Sequence, residues 1–103
     1  MNRLETLRAM LSQEPGNKFA RYGLAMEFAG QGQLEEAIAE YSTLLESDPN
    51  YAAAYYHGGQ ALERLGRTDE AREWYERGIE TTGRTGDAHT QSELQAALDL
   101  LPI

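Results

Sequence analysis

The chain repeats itself every 34 residues, and that period restricts it to very few architectures. Pro15 and Pro49 are one period apart, as are Gly32 and Gly66, Ala37 and Ala71, and Tyr41 and Tyr75; Leu11, Leu45 and Ile79 mark three successive periods. A fixed spacing of this length belongs to stacked helical hairpins, because one hairpin cannot bury its apolar face alone and does so only against its neighbours.

Hydrophobic periodicity and breakers predict six helices. Leu4, Leu7, Met10 and Leu11 form one stripe over residues 3–13, ended by Pro15-Gly16. Asn17 is placed to cap a second helix over 18–30, with Ala20, Leu24, Ala25 and Phe28 inward. Gly30-Gln31-Gly32-Gln33 reads as a turn, with Gly32, like Gly66, supplying a left-handed residue. A third helix over 34–46 carries Ala37, Ile38, Tyr41, Leu44 and Leu45 up to Asp48-Pro49-Asn50. The fourth, 51–65, carries Ala54, Tyr55, Ala61 and Leu62; the fifth, 68–81, opens at Thr68 and carries Ala71, Trp74, Tyr75 and Ile79. The last, 87–100, starts from Thr85 or Asp87 and has Leu94, Ala97, Leu98 and Leu101 on one face. Short connections make successive helices antiparallel neighbours.

Composition narrows what such a stack can meet. With 103 residues, 41% of them apolar, the chain suffices for one domain with a modest core. Nine basic residues against seventeen acidic leave a net charge of -8, which opposes binding to nucleic acid or to an anionic membrane surface. Absence of cysteine removes disulfide and thiolate chemistry, and no apolar run approaches the roughly 20 residues of a membrane span. The opening Met1-Asn2-Arg3-Leu4-Glu5 lacks the apolar stretch of a secretory signal, so a cytoplasmic location is the default expectation.

The phased residues resemble the tetratricopeptide repeat family. From Lys18 the chain supplies Leu24, Ala25, Phe28, Gly32, Ala37, Tyr41, Leu44 and Pro49 at the family's positions; from Ala52 it supplies Tyr55, Gly59, Leu62, Gly66, Ala71, Tyr75 and Gly78, with Gly83 where proline would stand. The resemblance implies an all-α fold, a right-handed superhelical stack of antiparallel helix pairs. It divides the single domain into a half repeat (1–17), two repeats (18–51 and 52–85) and a capping helix (86–103). It also implies a module that binds a protein or peptide segment in a concave groove, without catalysis or cofactor.

Three departures from the pattern bear on packing. Arg21 stands where the first repeat should have a large apolar residue, so its stem must enter the stack with its charge reaching water. Gly58 replaces leucine beside Gly59; each glycine costs about 1 kcal/mol in a helix, so either this helix is weak or another group fills the gap. In the last unit, strict phase buries Ser92 and Glu93, whereas a two-residue insertion around Gly83–Gly86 buries Leu94 and Leu98. The insertion is preferred, because burying an unpaired carboxylate costs more than lengthening a loop.

No catalytic constellation accompanies His57 and His89, which fall on different helices without metal-ligand, nucleophile or phosphate-loop spacing. The acidic run Glu35-Glu36, Glu40, Glu46 and Asp48 reads as a solvated outer face, with docking of a basic partner as the sharper alternative. By the resemblance, groove residues are Phe19, Tyr22, Met26, Ala29 and Gly30 on the first repeat, and Ala53, Tyr56, Gln60, Glu63 and Arg64 on the second. Tyr22 and Tyr56 share one repeat position and are the favoured anchors. Members of the family that clamp a C-terminal carboxylate do so with Lys, Asn and Arg. Here those places hold Tyr22, Met26 and His57, then Asp87 and Gln91 or, with the insertion, His89 and Glu93. A carboxylate lacks its donors there, so an extended or helical segment with apolar anchors is the expected ligand. The alternative is homo-oligomerisation through the apolar faces of Leu4, Leu7 and Leu11 or of Leu94, Leu98 and Leu101.

Overall fold

A computed structural model describes residues 2–102. They form six helices: α1 (Arg3–Gln13), α2 (Lys18–Gly30), α3 (Leu34–Ser47), α4 (Ala52–Arg64), α5 (Thr68–Thr85) and α6 (Ala88–Asp99). Side chains cap three of the starts: the carboxamide oxygens of Asn2 and Asn17 accept from the Glu5 and Ala20 amides, and the Asp87 carboxylate accepts from that of Thr90. Thr68 is the first residue of α5, not its cap; Arg67 stands before it and braces Glu70 through a two-pronged ion pair. Gly32 and Gly66 turn the chain at φ 78° and 79°, a conformation that a side chain would strain.

Consecutive helices pack against one another, and α2, α4 and α6 also touch in series while α3 and α5 stay apart. The stack therefore curves, with α2, α4 and α6 on its inner side. The core runs its length, from Leu7 through Ala20, Leu24, Tyr41, Leu44, Tyr55, Leu62 and Tyr75 to Leu94 and Leu101. Among the described residues, no buried side-chain polar atom lacks a partner.

The expected end of the fifth helix near residue 81 is corrected to Thr85. Pro49 breaks α3 by removing an amide donor and barring the preceding residue from helical geometry, but Gly83 has neither effect, and α5 runs on until Gly86 turns it at φ 83°. The two extra residues thus lengthen a helix and not a loop. They bring Leu94 fully into the core and leave Ser92 and Glu93 exposed, as the insertion requires; Leu98 is half-buried. Met10, counted on the apolar stripe of α1, is 36% exposed. Of the faces considered for self-association, Leu7, Leu94 and Leu101 are buried within the chain, and Leu4, Leu11 and Leu98 are partly buried against the core.

Arg21 enters the stack, and its charge, one-fifth exposed, is also met by a carboxylate. Its guanidinium lies 2.7 Å from Glu40 on α3, with side-chain exposures of 20% and 18%, and also donates to the Pro15 carbonyl. Glu40 thereby leaves the solvated acidic face, as does Asp48, which pairs with Lys18; Glu35, Glu36 and Glu46 remain exposed.

The gap at Gly58 is filled by α5. A methyl group on Gly58 would lie 2.1 Å from the Trp74 ring, and one on Gly59 would lie 2.3 Å from the Tyr75 ring. The missing leucine of α4 has been exchanged for a tryptophan on its neighbour. Gly58→Leu should therefore cost about 1–3 kcal/mol by overpacking, and Trp74→Ala about 2–3 kcal/mol by leaving a hole. Together they should recover much of that loss in urea unfolding, and strictly additive losses would refute the exchange. Ala37 and Ala71, fully buried in the first turns of α3 and α5, leave no room for growth. Leucine at either site should lower stability by about 1–3 kcal/mol, readable as a shifted denaturant midpoint at unchanged slope.

Candidate binding groove

A groove of about 490 Å³ opens on the inner side between α2 and α4. Met26, Ala29 and Gly30 line it from α2, His57, Gln60, Ala61, Glu63 and Arg64 from α4, and Tyr41 reaches it from α3. Helical spacing explains the set: residues three and four apart on α2 and on α4 share a face, and those two faces meet.

The polar groups of the groove are held in place. Tyr41, buried to 0% exposure, donates its hydroxyl to the Met26 sulfur at 2.9 Å, which fixes the thioether at the groove wall. The Tyr75 hydroxyl donates to one oxygen of Glu63, and burial together with that hydrogen bond raises its pKa well above the usual phenol value. Arg64 donates to the Ala29 carbonyl at 3.3 Å, bridging the end of α2. Gln60, Glu63 and Arg64 are exposed, and Met26 is 37% exposed. The groove thus offers an apolar patch beside one donor, one acceptor and one amide.

Six of the sequence-derived groove residues, Met26, Ala29, Gly30, Gln60, Glu63 and Arg64, come together here; Phe19, Tyr22, Ala53 and Tyr56 lie outside the lining. Phe19 is 69% exposed on the first turn of α2. Tyr22 is half-buried in a ring cluster, its centroid 5.3 Å from Tyr51, 5.9 Å from His57 and 6.2 Å from Tyr41. Tyr56 stands edge-on to His57 at 5.1 Å. The two tyrosines favoured as anchors therefore both pack edge-on against His57.

Tyr41 and Ala61 escaped the sequence reading of the groove, which named His57 only among the carboxylate-clamp positions. Tyr41 and Ala61 were legible as core, and both are buried, closing the groove from beneath. His57 stands one period after Gly23, whose missing side chain leaves room for Leu7 of α1, and that change from glycine to imidazole was the available signal.

Burial lowers the His57 pKa from its ordinary 6.5, opposed by a hydrogen bond with Gln60 and by the charge of Glu93. The unfolded chain then binds the proton more readily than the folded one. This contribution to stability is complete above about pH 6.5 and declines as pH falls from there toward the lower folded value. Asp87 and Glu70, held below the usual carboxylate range by hydrogen bonds from Thr90 and Arg67, lose theirs only at more acidic pH. The urea midpoint should fall between about pH 7 and about pH 5, and His57→Gln should flatten that fall; an unchanged slope would refute the assignment to His57.

The sequence profile of the tetratricopeptide repeat matches residues 22–88. The chain belongs to the tetratricopeptide repeat family. A TPR repeat-containing protein of Pseudomonas aeruginosa is 30% identical over 92% of this chain and 90% of its own. The solution structure of a tetratricopeptide repeat domain protein from Salinibacter ruber superposes with a TM-score of 0.77 at 41% identity, over 82% of this chain and 86% of that one. The TPR2B domain of yeast Sti1, solved in a complex with pHsp70, shares the fold at a TM-score of 0.86 and 19% identity, over 92% and 76% of the two chains. Tetratricopeptide repeats are protein-interaction modules, not enzymes. Among the described residues no helix is long and apolar enough to cross a membrane, and no cluster of metal-ligating side chains occurs.

Proposed function

We propose that this chain binds a peptide segment of another protein in the groove between α2 and α4, without catalysis. In this reading residues 18–51 and 52–85 are two complete repeats that form the groove, residues 1–17 a half repeat, and residues 86–103 the cap that closes the stack. The observation that carries it is the groove itself: a 37%-exposed Met26 over buried Tyr41, with Gln60, Glu63 and Arg64 alongside. A thioether adapts its shape to an apolar side chain. The neighbouring amide, carboxylate and guanidinium match the donors and acceptors of a peptide backbone, which must be satisfied once water leaves. A groove of this volume takes a few side chains, the scale of a short segment. The pHsp70 complex of the Sti1 domain, which has the same fold, is consistent with it.

Tyr22 and Tyr56 then act by holding His57 at the groove wall, while Phe19 adds an apolar rim at the start of α2. The test is to pan a random peptide library on the intact chain and map the selected peptides by amide chemical shifts. Perturbations should centre on Met26, His57, Gln60 and Arg64, and Met26→Ala with Gln60→Ala should weaken binding by about 2 kcal/mol while leaving helicity unchanged. Raised salt should matter less than those substitutions, because the anchor is apolar. Perturbations confined to α1, α6 or the exposed Glu35-Glu36 face would place the site elsewhere.

A further inference from the structure

The groove lies in a molecule in which, among the described residues, every lysine and arginine side chain has a partner. Of the nine basic side chains, five pair with carboxylates: Arg3, Lys18, Arg21, Arg67 and Arg72. Two stand over aromatic rings, Arg8 on Phe28 and Arg77 on Tyr55, and Arg64 and Arg84 donate to the Ala29 carbonyl and the Asn50 carboxamide. The surplus behind the net charge of -8 is carboxylate, and part of it reaches the groove. Glu63 lines it with one oxygen on Tyr75 and the other available; Glu93, outside the lining on α6, which packs on α4, is 3.6 Å from His89 and its charge is felt at His57. His57 adds no compensating cation at neutral pH, since burial disfavours its protonated form.

Resting on the groove reading above, we infer that the groove selects segments in which an apolar residue is flanked by basic ones, the apolar side chain on Met26 and the basic side chains at Glu63 and Glu93. Complementary charge steers the encounter and rejects partners of the wrong sign, while the apolar contact holds the complex. An acidic segment would instead meet Glu63 and Glu93 with Arg64 alone to offset them.

Three synthetic peptides test this, sharing a central Leu-Trp pair and differing only in flanks of arginine, serine or glutamate. In fluorescence anisotropy at about 20 mM salt the arginine peptide should bind about tenfold tighter than the glutamate peptide, and at about 500 mM the ratio should fall below about threefold. Glu63→Gln with Glu93→Gln should narrow the low-salt ratio to about threefold, while Glu35→Gln with Glu36→Gln should leave it unchanged. Glutamine at 63 still accepts from Tyr75 and both sites are exposed, so circular dichroism should match the parent chain. Equal or tighter binding of the glutamate peptide overturns the charge selection and leaves the groove reading standing. A preference abolished by the Glu35 and Glu36 variant instead assigns the charge effect to the outer face and likewise overturns it. Binding of none of the three overturns the inference and the groove reading together.

Discussion

Helix α4 must touch α2, α3, α5 and α6 at once, and the rest of the structure depends on that crowding. Four helices can close on a fifth only where its own side chains are small. Ala54 and Ala61 are buried, and Gly58 and Gly59 yield their space to Trp74 and Tyr75. Two interior glycines cost a helix about 2 kcal/mol together. An aromatic side chain removed from water returns about 1.5–3 kcal/mol, so burying Trp74 in part and Tyr75 fully offsets the cost. The same logic continues outward, where Gly78 of α5 admits Leu94 of α6 and the Cβ of Tyr55.

That packing creates the groove as a by-product. Because α2 and α4 share the inner side and shed bulk there, at Ala29, Gly30 and Ala61, a channel remains between them, and the hydroxyl of Tyr41 reaches through to its wall. Its side chains have partners: Met26 is bonded to Tyr41, Glu63 to Tyr75 and Arg64 to the Ala29 carbonyl, and His57 packs on Tyr22 and Tyr56. A surface whose side chains are already ordered loses less entropy on binding than a loose one. Its rigidity and its local charge are what distinguish it from a generic apolar cleft.

Kinship with the Pseudomonas and Salinibacter proteins, at 30% and 41% identity, is one of family and, for the latter, of fold. The individual character of this chain lies in its exceptions to the pattern. Arg21 paired with Glu40, Gly58 filled by Trp74 and the long α5 each break a family expectation, and each is answered by a second residue on a neighbouring helix. Such answers are invisible along one helix and obvious across two.

The sequence by itself determined the period, the six helices, the left-handed turns at Gly32 and Gly66, and the register that buries Leu94 and exposes Glu93. Those follow from local chemistry, from periodicity, caps and breakers, and from the high cost of burying a carboxylate. Met26, Gln60, Glu63 and Arg64 were named as groove residues through the resemblance to the family, which says which helix face turns inward; spacing alone places them on one face but does not say which side that face meets. Only the tertiary structure decided that Arg21 meets Glu40, that α5 continues to Thr85, and that Tyr22 and Tyr56 pack on His57 while Tyr41 reaches the groove. Each of these depends on which side chain arrives from another helix, and the distance between helices is set by the summed volumes of all the residues between them, a quantity no single segment carries.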